Sequence, residues 1–166
     1  MNYLKLTVIL AAGAYGLSHA IHPERFGLVD YADILFHEAG HPIFGMFGNE
    51  FLGVLGGTLM QLLMPVGVGI YFFMTGQLFS SAVSGVWAAL NLFNISVYAN
   101  DAWEMALPLV GNGDRIHDWN YMLDSLDILH RYKTVSFAIH ASGVCVLVVS
   151  VLAGLWLSRK GADGDK

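Results

Sequence analysis

Five consecutive residues, His37-Glu38-Ala39-Gly40-His41, form an H-E-x-x-H motif whose residue types and spacing suit metal chemistry. On an α-helix, residues four apart share a face about one turn apart, so both imidazoles can reach one metal ion. Glu38 lies beside them, where its carboxylate can take a proton from a metal-activated water. Histidines that merely bond to neighbouring backbone are the alternative. However, two imidazoles and a carboxylate in an apolar segment cost desolvation energy unless a charge offsets it, which favours Zn²⁺.

The two motif histidines leave a catalytic zinc site incomplete, because such sites usually take three protein ligands and keep a fourth position open. His117 and Asp118 lie side by side in the polar stretch 111–121, and Asp101 ends an apolar segment. We favour the first pair, since neutral imidazole is a common zinc ligand and the adjacent carboxylate can orient it or bind directly. Asp118 can also cap the helix that follows. Asp101 would then accept a hydrogen bond from a motif histidine.

The composition indicates that these residues sit in a membrane protein. Of the 166 residues, 55% are hydrophobic and 13% are charged, whereas about a quarter are charged in ordinary soluble domains. The net charge of −5 with only eight Lys and Arg argues against a nucleic-acid partner, because no basic surface exists to neutralise phosphates. The single Cys145 excludes an intrachain disulfide and a cysteine-rich zinc cluster. The expected partner is the lipid bilayer.

Three windows are apolar over about the 20 residues that a helix needs to cross a bilayer, namely about 51–76, 78–99 and 134–157. A shorter apolar run at 6–17 follows Lys5 and precedes Ser18-His19-Ala20. This run fits both a signal peptide and a short retained span, and we favour the span. With four spans, both termini lie on one side, and the loops that carry His37 and residues 100–133 lie together on the other. The orientation in the membrane and the oligomeric state stay open.

The segment 30–47 is apolar enough to be embedded, and Asp30 is placed to cap its helix. Its ionisable residues must face protein or water, which suits a partly embedded helix better than one exposed to lipid. The sequence therefore predicts an all-α, polytopic membrane bundle with about four spans and a partly embedded motif helix. We expect residues 1–166 to form a single domain.

Residues 30–101 resemble the site-2 protease class of intramembrane zinc metalloproteases. Members have the H-E-x-x-H motif in a membrane helix, then a glycine-rich segment with a polar amide, then an apolar span ending in an Asp that completes the zinc site. His37–His41 is similar to the first of these, Gly56-Gly57-Thr-Leu-Met-Gln61 to the second, and Asn91-Leu-Phe-Asn-Ile95 with Asp101 to the third. Gln61 stands where the family usually has Asn, and Ala102 where Gly is usual. The resemblance points to Asp101 as the third ligand, so this choice stays open.

The resemblance implies a zinc-dependent, membrane-embedded endopeptidase that hydrolyses peptide bonds of membrane proteins or peptides through a metal-activated water. Glu38 would be the general base, and Gln61 would donate to the oxyanion. We expect a multi-pass protein of the bacterial inner membrane. The alternative is a non-hydrolytic membrane protein that binds zinc or regulates a partner. The presence of Glu38 favours the enzyme, because a site that only holds zinc needs no general base between its ligands.

Overall fold

The computed structural model describes residues 1–108 and 117–160, and the regular structure within these ranges is entirely helical. Residues 111–116 of the polar stretch lie outside the described part of the chain. The helices are α1 (Tyr3–Ile21), α2 (Leu28–Gly45), α3 (Glu50–Met74), α4 (Leu78–Asn100), α5 (Asp118–Ser125) and α6 (Tyr132–Arg159), with a 3-10 turn at Leu129–Arg131. The predicted all-α fold is confirmed.

Four of these helices, α1, α3, α4 and α6, are long and apolar enough to cross a membrane. They coincide with the three apolar windows and the N-terminal run of the sequence. The motif helix α2 is not among them; it carries three carboxylates along its 18 residues. The length and composition of these four helices are thus compatible with a multi-pass membrane protein.

Helices α1, α4 and α6 form the core of the bundle. The backbone N–H of Asn2 donates to Ser158 O at 2.8 Å, so α1 and α6 run antiparallel and the described ends of the chain meet. The hydroxyl of Ser136 donates to Ser96 O at 2.8 Å, which joins the beginning of α6 to the end of α4. Apolar side chains fill the space between the three helices: Ile9, Val86, Ala89, Phe93 and Leu147.

The motif helix α2 begins beside the last turn of α1, where Asp30 Oδ2 lies 3.9 Å from His19 Nε2. The expected cap is shifted, because Gly27 is the N-cap residue and Asp30, in the first turn, accepts from the Gly27 N–H at 2.7 Å. Further along α2, the buried Asp33 accepts from Trp87 Nε1 on α4 at 2.9 Å. These polar contacts fix one side of α2 against α1 and α4.

The other side of α2 packs closely on α3 through glycines. A Cβ atom added to Gly40 would collide with the carbonyl of Gly56, and one added to Gly56 would lie 2.6 Å from Gly40 O. The two backbones approach this closely because neither residue has a side chain. The contact brings the motif face of α2 against the middle of α3, where Gln61 lies.

Candidate metal centre

The two motif histidines and Asp118 come together between α2, α3 and α5. Because α2 is helical through the motif, the rings of His37 and His41 share a face, with their centroids 4.9 Å apart. Asp118 Oδ2 lies 2.9 Å from His37 Nε2 and 3.3 Å from His41 Nε2. Within residues 1–108 and 117–160, these three side chains are the one set of at least three potential ligands that converges, with ligand atoms within 4.8 Å of one another.

Two of the three separations between the ligand atoms are close to those found around a zinc ion. Tetrahedral zinc with bonds of about 2.0 Å separates its ligand atoms by about 3.3 Å, and the distances from Asp118 Oδ2 to the two histidines are close to this. Two imidazoles and one carboxylate also form a donor set that catalytic zinc sites use.

The second nitrogen of each motif histidine has an acceptor that orients the ring. His41 Nδ1 lies 3.0 Å from the carbonyl oxygen of Gly53, which can only accept, so Nδ1 carries a proton and donates. His37 Nδ1 lies 3.2 Å from Gln61 Oε1. Metal-binding histidines usually donate their second N–H in this way, which leaves the Nε2 lone pair for the ion. With an ion at the two Nε2 atoms, Gln61 Oε1 and the Gly53 carbonyl would accept the Nδ1 protons of the rings.

Gly57 on α3 keeps the space beside the two Nε2 atoms clear. A Cβ atom at this position would lie 2.7 Å from His37 Nε2 and 2.7 Å from His41 Nε2. Gly56 packs α3 against α2. Gly57 differs, because a side chain there would occupy the place where an ion meets the imidazoles.

Asp118 and His41 stabilise one another's charged forms. Hydrogen bonding to Asp118 raises the pKa of His41 above its ordinary value. Burial acts to raise the pKa of Asp118, but its contacts with His37 and His41 outweigh burial and hold that pKa below the usual range. Asp118 is thus an ionised carboxylate at neutral pH, as a metal ligand must be.

Of the three residues proposed from the sequence as the third ligand, the structure brings only Asp118 to the motif histidines. His117 Nδ1 accepts from the Asn120 N–H at 3.2 Å, and His117 Nε2 lies 3.1 Å from Asp101 Oδ2. Both ring nitrogens of His117 are therefore engaged elsewhere. Asp101 contacts His117 instead of a motif histidine. His117 is also the N-cap residue of α5, one position before the expected cap Asp118, whose carboxylate is left to face α2.

A cavity of about 220 Å³ opens beside the candidate ligands. Glu38 and Gln61 line it together with the three candidate ligands. Its other walls are largely apolar and include Phe26, Ile34 and Val97. The Gln61 side chain is only 4% exposed and bridges two partners, since Oε1 faces His37 and Nε2 donates to Asn94 Oδ1 at 3.1 Å.

Asn94 and Tyr98 of α4 also line the cavity, and sequence reasoning did not single them out. The hydroxyl of Tyr98 accepts from the backbone N–H of Asp118 at 3.2 Å. Because they are four residues apart, both lie on one face of α4. Two polar side chains on one face of an apolar span indicate a functional site, so the sequence could have revealed them.

Fold and site together define a helical protein of membrane-spanning character with a His-His-Asp candidate metal centre. No protein-family model matches the chain, and neither curated proteins nor solved structures gave a match. The likeness to the site-2 protease class therefore rests on the motifs quoted above.

Proposed function

We propose that this protein is a zinc-dependent, membrane-embedded endopeptidase of the kind that its motifs resemble, the site-2 protease class. The observation that carries the proposal is the convergence of His37, His41 and Asp118 at one point, with Glu38 in the same cavity. Three zinc ligands and a neighbouring carboxylate are the parts that metal-assisted peptide hydrolysis requires. The substrate class is membrane proteins or membrane-associated peptides.

His37, His41 and Asp118 would hold the ion. When bound, zinc supplies the Lewis acidity that polarises a peptide carbonyl and acidifies water. Glu38 takes a proton from the attacking water as the C–O bond forms, and delivers it to the leaving nitrogen as the C–N bond breaks. The products are a carboxylic acid and an amine, the remaining proton of the water passes from the acid to the amine, and Glu38 returns to its starting state.

The surrounding residues hold these groups in place. Gln61 and the Gly53 carbonyl orient the two imidazoles, while Tyr98 holds the backbone of Asp118. The apolar walls of the cavity match a peptide segment drawn from a membrane. Fixed ligands and an apolar surround strengthen the electrostatic interactions at the reacting atoms.

On this proposal the protein is a multi-pass component of the bacterial inner membrane. Four apolar helices support an integral membrane location, and the choice of membrane follows from the resemblance alone. Expression in a Gram-negative host, followed by separation of inner and outer membranes, tests it. Recovery in the outer membrane would contradict the assignment.

Replacement of Glu38 tests the enzymatic proposal. Zinc-loaded wild-type protein in detergent should cleave dye-labelled casein, and Glu38→Gln should lose at least 10²-fold in rate while keeping one zinc per chain. The amide preserves the shape of the side chain but cannot take the proton. Glu50→Gln, an exposed carboxylate at the start of α3, is the matched control and should behave as wild type.

Two results would overturn the proposal. If the Glu38→Gln protein turns over at the wild-type rate, Glu38 is not the base. If the wild-type protein binds zinc but cleaves neither casein nor any protein of a membrane-substrate screen, the non-hydrolytic zinc-binding alternative is correct.

A further inference from the structure

A chain of three side chains leads from a candidate metal ligand to the wall of the cavity. His37 Nδ1 lies 3.2 Å from Gln61 Oε1, and Gln61 Nε2 lies 3.1 Å from Asn94 Oδ1. An amide side chain has an accepting oxygen and a donating nitrogen, so a chain through two amides has a direction. That direction determines whether the oxygen or the nitrogen of the Asn94 amide takes no part in the chain.

The direction is set by the Gln61 amide, whose oxygen lies 3.2 Å from His37 Nδ1 and whose nitrogen donates to Asn94 Oδ1 at 3.1 Å. A metal ion held at His37 Nε2 would leave the ring proton on Nδ1, which would then donate to this oxygen. Gln61 is then oriented with its nitrogen towards Asn94, and Asn94 uses its oxygen to accept. The amide nitrogen of Asn94 takes no part in this hydrogen-bond chain.

This nitrogen has no acceptor among residues 1–108 and 117–160, and Asn94 lines the cavity together with Glu38 and the candidate ligands. Asn94 is only partly buried, so an occupant of the cavity can reach its side chain. An amide donor held in place before substrate arrives is the arrangement that stabilises a developing oxyanion.

We infer that Asn94 is a catalytic residue whose Nδ2–H donates to the carbonyl oxygen of the scissile peptide bond. The inference rests on the proposed function, and it gives Gln61 a different role from the one expected from the sequence. Gln61 positions both His37 and Asn94, and Asn94 is the donor to the substrate.

The first test removes the donor. Asn94→Ala should lower kcat for casein by about 10²- to 10³-fold, the usual effect of losing one oxyanion donor, with zinc affinity unchanged. A phosphinic tripeptide with leucine on both sides of the tetrahedral phosphorus should bind more weakly by a similar factor, because it mimics the transition state. Asn100→Ala, the same change at an exposed position of α4, is the control and should alter none of these quantities.

The second test reverses the amide without touching Asn94. Gln61→Glu keeps an oxygen that accepts from His37 but has no N–H for Asn94. The Asn94 amide should therefore turn its nitrogen to the new carboxylate and present its oxygen to the cavity. Gln61→Glu should then lose kcat and phosphinate affinity nearly as Asn94→Ala does, while zinc affinity is retained. Combining the two changes should add little to either alone, because both remove one interaction.

The outcomes separate this inference from the proposed function. If the zinc-loaded wild-type protein neither cleaves casein nor binds the phosphinate, the proposed function and the role of Asn94 are both wrong. Wild-type cleavage with an unchanged Asn94→Ala protein removes only the role of Asn94. Loss of zinc from Asn94→Ala in parallel with activity would give Asn94 a structural role and would also overturn the inference, as would additive losses in the double variant.

Discussion

His117 Nε2 lies 3.1 Å from Asp101 Oδ2, and this contact ties the first residue before α5 to the end of α4. The same Asp101 carboxylate accepts from the backbone N–H groups of Ala106 at 3.0 Å and Leu107 at 2.9 Å. The Asp101 side chain therefore stabilises the turn after α4 and holds His117, the residue before Asp118. We conclude that His117 and Asp101 position Asp118, the third candidate ligand, and do not themselves belong to the candidate metal centre.

Replacing Asp118 should lower zinc affinity far more than replacing Asp101. Asp118→Ala should abolish tight binding, because it removes a ligand, whereas Asp101→Asn should weaken affinity by about 10- to 100-fold, as is typical of residues that orient a ligand. Competition with a fluorescent chelator in detergent measures both. Glu104→Gln, an exposed carboxylate in the same turn, is the control. A near-total loss confined to Asp101 variants would show that Asp118 is not the ligand.

A methyl group at Gly57 should interfere with zinc directly. Gly57→Ala places a Cβ atom 2.7 Å from both Nε2 atoms, so zinc affinity should fall at least 10-fold while the helical content is unchanged. Gly67→Ala is the matched control on the same helix, since a Cβ there meets nothing within 4 Å. Equal zinc affinities for the two variants would show that the ion does not lie between the imidazoles and α3.

Zinc affinity should depend on pH through His41. In the metal-free protein Asp118 raises the pKa of His41, so a proton competes with zinc for Nε2 over a range extending above pH 6.5. Affinity should be constant above the raised pKa and should fall about tenfold per pH unit below it, as one proton is displaced per ion. Titrations between pH 5 and pH 9 measure this. A flat profile would mean that His41 is not a ligand.

Asp33 should make the folded protein more stable in acid. Burial raises its pKa from 3.8 to about 6 despite the hydrogen bond from Trp87, so the folded state holds a proton more tightly than the unfolded state. This contribution is fully present below pH 3.8 and is lost as the pH rises through about 6, a difference of about 3 kcal/mol.

Asp33→Asn mimics the protonated carboxyl and keeps an acceptor for Trp87. The variant should exceed wild type in free energy of unfolding at pH 7.5, and the difference should shrink as the pH falls to 4. Unfolding in detergent at a series of pH values, with the two proteins side by side, removes the effect of other titrating groups. A difference that is independent of pH would contradict the burial argument.

Much of the architecture was predictable because its signals are local. Hydrophobic length identified α1, α3, α4 and α6, and helical spacing placed His37 and His41 on one face of α2 with Glu38 beside them. These features depend on residues within a few turns of one another, so the chain itself carries them. The pairing of Gly40 with Gly56 is intermediate, since small residues indicate close packing but do not name the partner.

The sequence by itself determined the helices, the motif and the chemical types of its possible partners. Only the tertiary structure decided among Asp101, His117 and Asp118, because all three are plausible ligands by type and lie within 18 residues. The choice depends on how the turn after α4 is folded and on which ring nitrogens of His117 are already bonded. The orientation of Asn94 likewise follows from a hydrogen-bond chain across three helices. Such relationships join residues far apart in the chain, and local patterns do not encode the distances between them.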